Sequence, residues 1–102
     1  MKLQLVVSGG IAGFTNKFPV LNVDKLSDQD KHKLKELIIS SNFYNLPVDI
    51  SDKGADLIYT TLIIENDNKQ RHSVRATFLN MTPTVSKFKE LTKYVNALYK
   101  KY

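Results

Sequence analysis

The apolar positions along this chain change period from segment to segment. Leu3, Leu5 and Val7 alternate, which predicts a strand from about Lys2 to Ser8 with one buried face. A second strand is expected from Phe14 to Val23. Phe14 and Phe18 share a face, but beyond Pro19 the apolar phase moves to Leu21 and Val23. Proline gives a ladder no donor, so this strand belongs at a sheet edge, with a bulge or break near Pro19. Ser27 to Asn42 reads as a helix. Ser27 is its N-cap, Asp28 and Asp30 sit where the helix dipole favours acids, and Leu34, Leu37, Ile38 and Ser41 form the buried stripe. Phe43 to Pro47 ends this helix, and a long loop follows from Val48 to Ala55. Asp56 to Glu65 is apolar on both faces, which predicts a strand that is central or covered on both sides. Asn66 to Lys69 is a hairpin turn. Gln70 to Phe78 alternates again, with Val74, Ala76 and Phe78 on one face and Arg71, Ser73, Arg75 and Thr77 on the other. Thr82-Pro83 opens a last helix, whose Val85, Phe88, Leu91, Val95 and Leu98 recur at helical spacing.

The order ββαββα predicts an α+β fold: a four-stranded antiparallel sheet with both helices packed on one face, in a single domain over residues 1–102. If consecutive elements alternate direction, the loops sort into two ends. The Ser8–Gly13 loop, the Pro47–Ala55 loop and the Leu79–Thr82 link share one end, and Asn66–Lys69 lies at the other.

Composition narrows the function classes. With 42% hydrophobic and 25% charged residues the chain has ordinary globular composition. It has no cysteine, which removes disulfides, thiolate metal sites and a cysteine nucleophile. No apolar run approaches the length of a membrane span, and the N-terminal apolar stretch is too short for a signal peptide and is interrupted by Gln4. As written, the chain is expected to be cytoplasmic and off the membrane. Its net charge of +5 suits nucleic acid or an acidic protein partner.

Three of the four glycines fall in Ser8-Gly9-Gly10-Ile11-Ala12-Gly13. Glycine alone takes positive φ freely, so the cluster marks either a hairpin loop that needs that backbone or a bare loop that must approach another molecule. Ser8, Gly10 and Gly13 match the spacing of a dinucleotide fingerprint, but that motif needs a helix to start in the loop. Phe14-Thr15-Asn16-Lys17-Phe18-Pro19 is strand material instead. No catalytic constellation accompanies the loop. His32 lies off its helix stripe as a solvated side chain, and His72 reads as a satisfied, partly buried histidine. Asp49 and Asp52 read as solvated loop acids. There is no zinc-ligand spacing and no nucleophile elbow, so neither an enzyme nor a cofactor or metal site is expected. Arg71 and Arg75 share a strand face, but no aromatics are interleaved with them, which disfavours nucleic acid. What remains is a binding module: a rigid scaffold with a preorganised loop, which loses little affinity to ordering.

The Ser8–Gly13 stretch after a first strand, Asp56-Leu57-Ile58-Tyr59 opening a long apolar strand, Arg71-His72-Ser73-Val74 after a polar turn, and a final amphipathic helix together resemble the emfourin (protealysin-inhibitor) family. The S-G-G-x-A-G stretch is the most specific element and the strand opened by Asp56-Leu57-Ile58-Tyr59 (D-x-x-Y) the second; Leu21 to Ala55 matches only in pattern. The family comprises small bacterial and archaeal inhibitors of thermolysin-like zinc metalloproteases, often encoded beside the protease. The resemblance implies that Ser8, Gly9, Gly10, Ile11, Ala12, Gly13 and Phe14 contact the protease. The neighbouring loops supply Asp52, Lys53, Asp56 and Asn80 as secondary contact candidates. Ile11 stands where the family often has phenylalanine, which implies a change in affinity or target. The alternative is a small basic module that binds nucleic acid or another protein.

Overall fold

The structure is a computed structural model that describes residues 1–10 and 13–102. Among the described residues, five strands and two α-helices follow in the order β1 (Lys2–Gly9), β2 (Phe14–Lys17), β3 (Leu21–Asn22), α1 (Asp28–Ser40), β4 (Ile58–Glu65), β5 (Arg71–Ala76) and α2 (Pro83–Lys101). The fold is α+β with an antiparallel sheet ordered β2-β1-β4-β5, and β3 also pairs with β1.

The expected second strand is two strands. β2 pairs with the far half of β1 (Val6 opposite Lys17) and β3 with its start (Leu3 opposite Leu21). Pro19 lies in the gap between them, where Phe18 N–H still donates to Leu5 O at 2.9 Å and side chains supply the other bonds. Gln4 Nε2 donates to Phe18 O at 2.8 Å, Leu5 N–H donates to Tyr99 Oη at 3.2 Å, and Tyr99 Oη donates to Pro19 O at 2.6 Å. The phase shift seen in the sequence is this gap: Phe18 and Leu21, three residues apart, both pack against the core.

Register puts Leu3, Leu5, Leu62, Ile64, Val74 and Ala76 on one face of the sheet, and all are buried. The stripe of α1 (Leu34, Ile38) and that of α2 (Phe88, Leu91, Val95, Leu98) close on that face in one core. β4 is central, between β1 and β5, but its second face is uncovered: Tyr59, Thr61, Ile63 and Glu65 stay half-exposed. Both predicted caps are present. Ser27 Oγ accepts from Asp30 N at 3.2 Å, Thr82 Oγ1 accepts from Val85 N at 3.2 Å, and Pro83 starts α2.

Asp30 does more than complement a dipole. It is nearly buried, and its carboxylate accepts from Tyr94 Oη (3.0 Å), Lys101 Nζ (2.8 Å) and Tyr102 Oη (2.7 Å), tying the start of α1 to the end of α2. The Lys101 ammonium and the Tyr102 hydroxyl hold this carboxyl well below the usual carboxylate range. His72 is partly buried, edge-on to Phe43, with Nε2 2.9 Å from Leu46 O, and His32 is exposed beside Glu36.

The Val48–Ala55 loop is tethered to the sheet at its start. Arg75 N–H donates to Val48 O at 2.9 Å and Ile50 N–H donates to Arg75 O at 2.8 Å, so residues 48–50 run parallel beside β5. This short strap covers the outer edge of β5, as sheet edges often require.

Candidate functional site: the glycine-loop end of the sheet

Gly9 ends β1 opposite Ile58 of β4 and Phe14 of β2. Its φ is +101°, and a Cβ there would lie 2.2 Å from the Leu57 carbonyl oxygen. Only a residue without a side chain lets the two backbones meet at this point. Gly10 (φ +77°) donates its N–H to that same oxygen at 3.0 Å, and Gly13 (φ +63°) donates to Gly10 O at 3.2 Å. The three glycines therefore meet a real backbone requirement. A tight backbone contact pins the near leg of the loop to the start of β4, and the far leg leads into β2. Ile11 and Ala12, the remaining loop contact candidates, lie outside the described residues.

Phe14 is not a core residue. It is 43% exposed, at the end of the sheet beyond the helices. A Cβ on Gly10 would sit 3.2 Å from Phe14 Cε1 and 4.0 Å from Ile58 Cγ1, so the two apolar side chains border the glycine backbone. Ile58 is 55% exposed and Leu79 is 65% exposed, and both line a cleft of about 320 Å³ together with Leu57, Thr60 and Phe78. Ser8 sits one step inside, paired with Thr15 and Tyr59 and half-buried. The sharing of one end by the glycine loop, the loop before β4 and the link after β5 follows the expectation from strand direction.

The secondary candidates divide. Asp52 and Asn80 come together, bonded to each other, and Asp52 is also bonded to Thr77. Thr77 Oγ1 accepts from Asp52 N at 2.7 Å and donates to Asp52 Oδ2 at 2.8 Å, and Asn80 Nδ2 donates to Asp52 Oδ1 at 2.8 Å. The Thr77 hydroxyl and the Asn80 amide hold the Asp52 carboxyl below its ordinary value. Thr77, expected on the outer face of a strand, lies just past β5 and is buried by this cluster. Lys53 and Asp56 point into solvent, with Asp56 at φ +58° on the rim of the cleft.

Two readings are corrected here. Asp49 and Asp52 lie in the loop but are not free acids, because each carboxylate is hydrogen-bonded. Asp49 accepts from both Nε and Nη2 of Arg75, and that guanidinium pulls its carboxyl down to about 2. In addition, an aromatic does lie among the bases of the sheet: the Arg75 guanidinium sits 4.6 Å from the Tyr59 ring centroid on the uncovered face. The residues that the sequence reading missed, Ile58, Leu79 and Tyr59, lay in or beside apolar runs, where periodicity does not say which side chain outruns the core.

Among the described residues, no three His, Cys, Asp or Glu side chains come together to hold a metal ion, and no helix is long and apolar enough to cross a membrane. No protein-family model, curated protein or solved structure matches this chain.

Proposed function

We propose that this protein inhibits thermolysin-like zinc metalloproteases by placing the loop between β1 and β2 in the active-site cleft, as a substrate-like segment that is not cleaved. The observation that carries this reading is the anchored glycine turn with Phe14 and Ile58 exposed beside it. Protease clefts receive extended backbone, and glycines let another backbone approach closely. Ile11 is the bulky apolar side chain that the loop offers to the enzyme's main specificity pocket. The loop blocks access to the zinc without ligating it. A stable complex buries about 800 Å² per partner, more than a loop tip supplies, so Ile58, Leu79, Lys53 and Asp56 join the contact. Asp52 and Asn80 serve it indirectly, by fixing the loop before β4 against the link after β5.

The test is a titration against thermolysin with a fluorogenic peptide substrate. Stoichiometric loss of activity, not relieved by added zinc, is expected. A variant with residues 10–13 replaced by a flexible Gly-Ser linker should keep the fold and lose inhibition; full inhibition by that variant overturns the mechanism.

A second reading rests on the Tyr59–Arg75 contact: single-stranded nucleic acid on the open sheet face, where register also places Lys2, Lys17 and Arg71. Salt-dependent binding of an RNA oligomer that Tyr59→Ala abolishes would support it.

A further inference from the structure

The cleft lined by Ile58 and Leu79 has a neighbour. Thr60 and Phe78, which line it, also line a second cleft of about 230 Å³ between the sheet and α2. The second cleft is walled by Val7 and Phe18 on the sheet side, and its α2 side carries Lys89 and Lys93. These lysines are four residues apart, so both project from the same side of the helix. Both are exposed, and Lys89 Nζ lies 5.6 Å from the Phe78 ring centroid, with its stem along the apolar wall.

We propose that this second cleft is a further contact for the same protease, receiving a surface segment that pairs one bulky apolar side chain with a carboxylate. The inference rests on the inhibitor reading above and gives the partner's chemistry beyond its active site. Three observations converge on it. The cleft adjoins the one at the glycine-loop end through Thr60 and Phe78, so a body seated on the loop reaches it. Its volume suits a single side chain rather than a free ligand of drug size. The Lys89 ammonium stands over the Phe78 ring and Lys93 lines the same cleft, so an entering carboxylate gains two cationic neighbours as the apolar side chain beside it is buried. The nearby acids do not cancel this charge. Asp56 lines the other cleft, Asp52 is bound to Thr77 and Asn80, and Glu90 alone accompanies the pair on α2. The surface is therefore polarised, with its positive side toward α2. This places part of the net charge of +5 where it steers the approach of an acidic rim.

The experiment measures association rate and inhibition constant against thermolysin for the intact protein, the Lys89→Glu/Lys93→Glu variant, the Lys89→Arg/Lys93→Arg variant and the loop-replaced variant, at low and high salt. The glutamate pair is expected to weaken inhibition at low salt by about tenfold or more, chiefly through slower association, with the gap narrowing as salt rises. The arginine pair should inhibit like the intact protein, and thermal unfolding should be unchanged in both. Equal inhibition and equal salt dependence in the glutamate pair overturn the second contact and leave the loop mechanism standing. Absence of inhibition by the intact protein overturns both.

Discussion

The two ends of the sheet solve the same problem in opposite ways. At one end, the turn between β4 and β5 satisfies itself. Asn66 Oδ1 accepts from Asn68 N at 2.9 Å and Gln70 N at 3.0 Å, Asn66 N–H donates to Gln70 O at 3.0 Å, and residues 67–70 are exposed and polar. At the other end, the turn between β1 and β2 spends three glycines at positive φ, and Phe14 and Ile58 stand exposed beside it. A connection that only reverses the chain needs the first solution, because polar side chains complete its hydrogen bonds locally. Bare backbone ringed by uncovered apolar side chains has no advantage for a turn alone. It suits a surface that is covered later, which is why the glycine end carries the functional proposal.

The sharpest way to break this comparison is at Gly9. Alanine there places a Cβ against the Leu57 carbonyl in a backbone region that L-residues avoid, so Gly9→Ala should cost about 1–3 kcal/mol of stability and pull the loop off β4. Inhibition of thermolysin should fall more than stability does, because the displaced loop is the contact. Gly13 is the internal control. Its φ of +63° lies in the left-handed region that asparagine tolerates and none of the described residues crowds its Cβ position, so Gly13→Asn should be much milder. Urea unfolding alongside the inhibition assay checks both. Equal effects at the two glycines would mean that the close approach to Leu57 does not matter.

The contrast between the ends was partly legible in the sequence. Ser27 and Thr82 announced their helices because a cap acts within three residues of itself. Pro19 announced a break because a missing N–H is a local fact, but not that Gln4 and Tyr99 would fill the gap. The Asp30 hub was invisible for the same reason: its partners Tyr94, Lys101 and Tyr102 lie 64, 71 and 72 residues away. At the candidate site, the glycine cluster was evident from composition. Its apolar surroundings were not, since Ile58 belongs to a run that is apolar on both faces and only the extent of the helices decides that it stays uncovered. The 48–50 strap carries no alternating pattern, and its pairing with β5 is made by the backbone N–H and carbonyl of a residue 25 to 27 positions away.

The opposite turn gives the intermediate effect. Asn66→Ala removes the acceptor for two backbone N–H groups and should destabilise by about 1 kcal/mol. Inhibition measured below the unfolding transition should be unchanged. A loss of inhibition as large as that of Gly9→Ala would erase the distinction between the ends.

The smallest effect is expected at Asp49, whose pairing with Arg75 reinforces the strap that leads toward the glycine end. Both side chains are substantially exposed, 40% for Asp49 and 47% for Arg75, so the pair should contribute only about 0.5 kcal/mol. Its pH dependence identifies it. The Asp49 carboxyl is held at about 2 in the folded chain, below its ordinary value of 3.8. A depressed carboxylate stabilises the fold fully above its ordinary value, and that contribution disappears as pH falls from about 4 through about 2. Asp49→Asn should therefore unfold at slightly lower temperature than the intact protein at pH 6, and the two should converge near pH 2. Asp30 titrates in the same direction, but it is common to both proteins and cancels in the difference. The absence of any gap at pH 6 would mean that the strap is held by its backbone pairing with Arg75 alone. In that case the glycine end would owe its shape to hydrogen bonds rather than to charge.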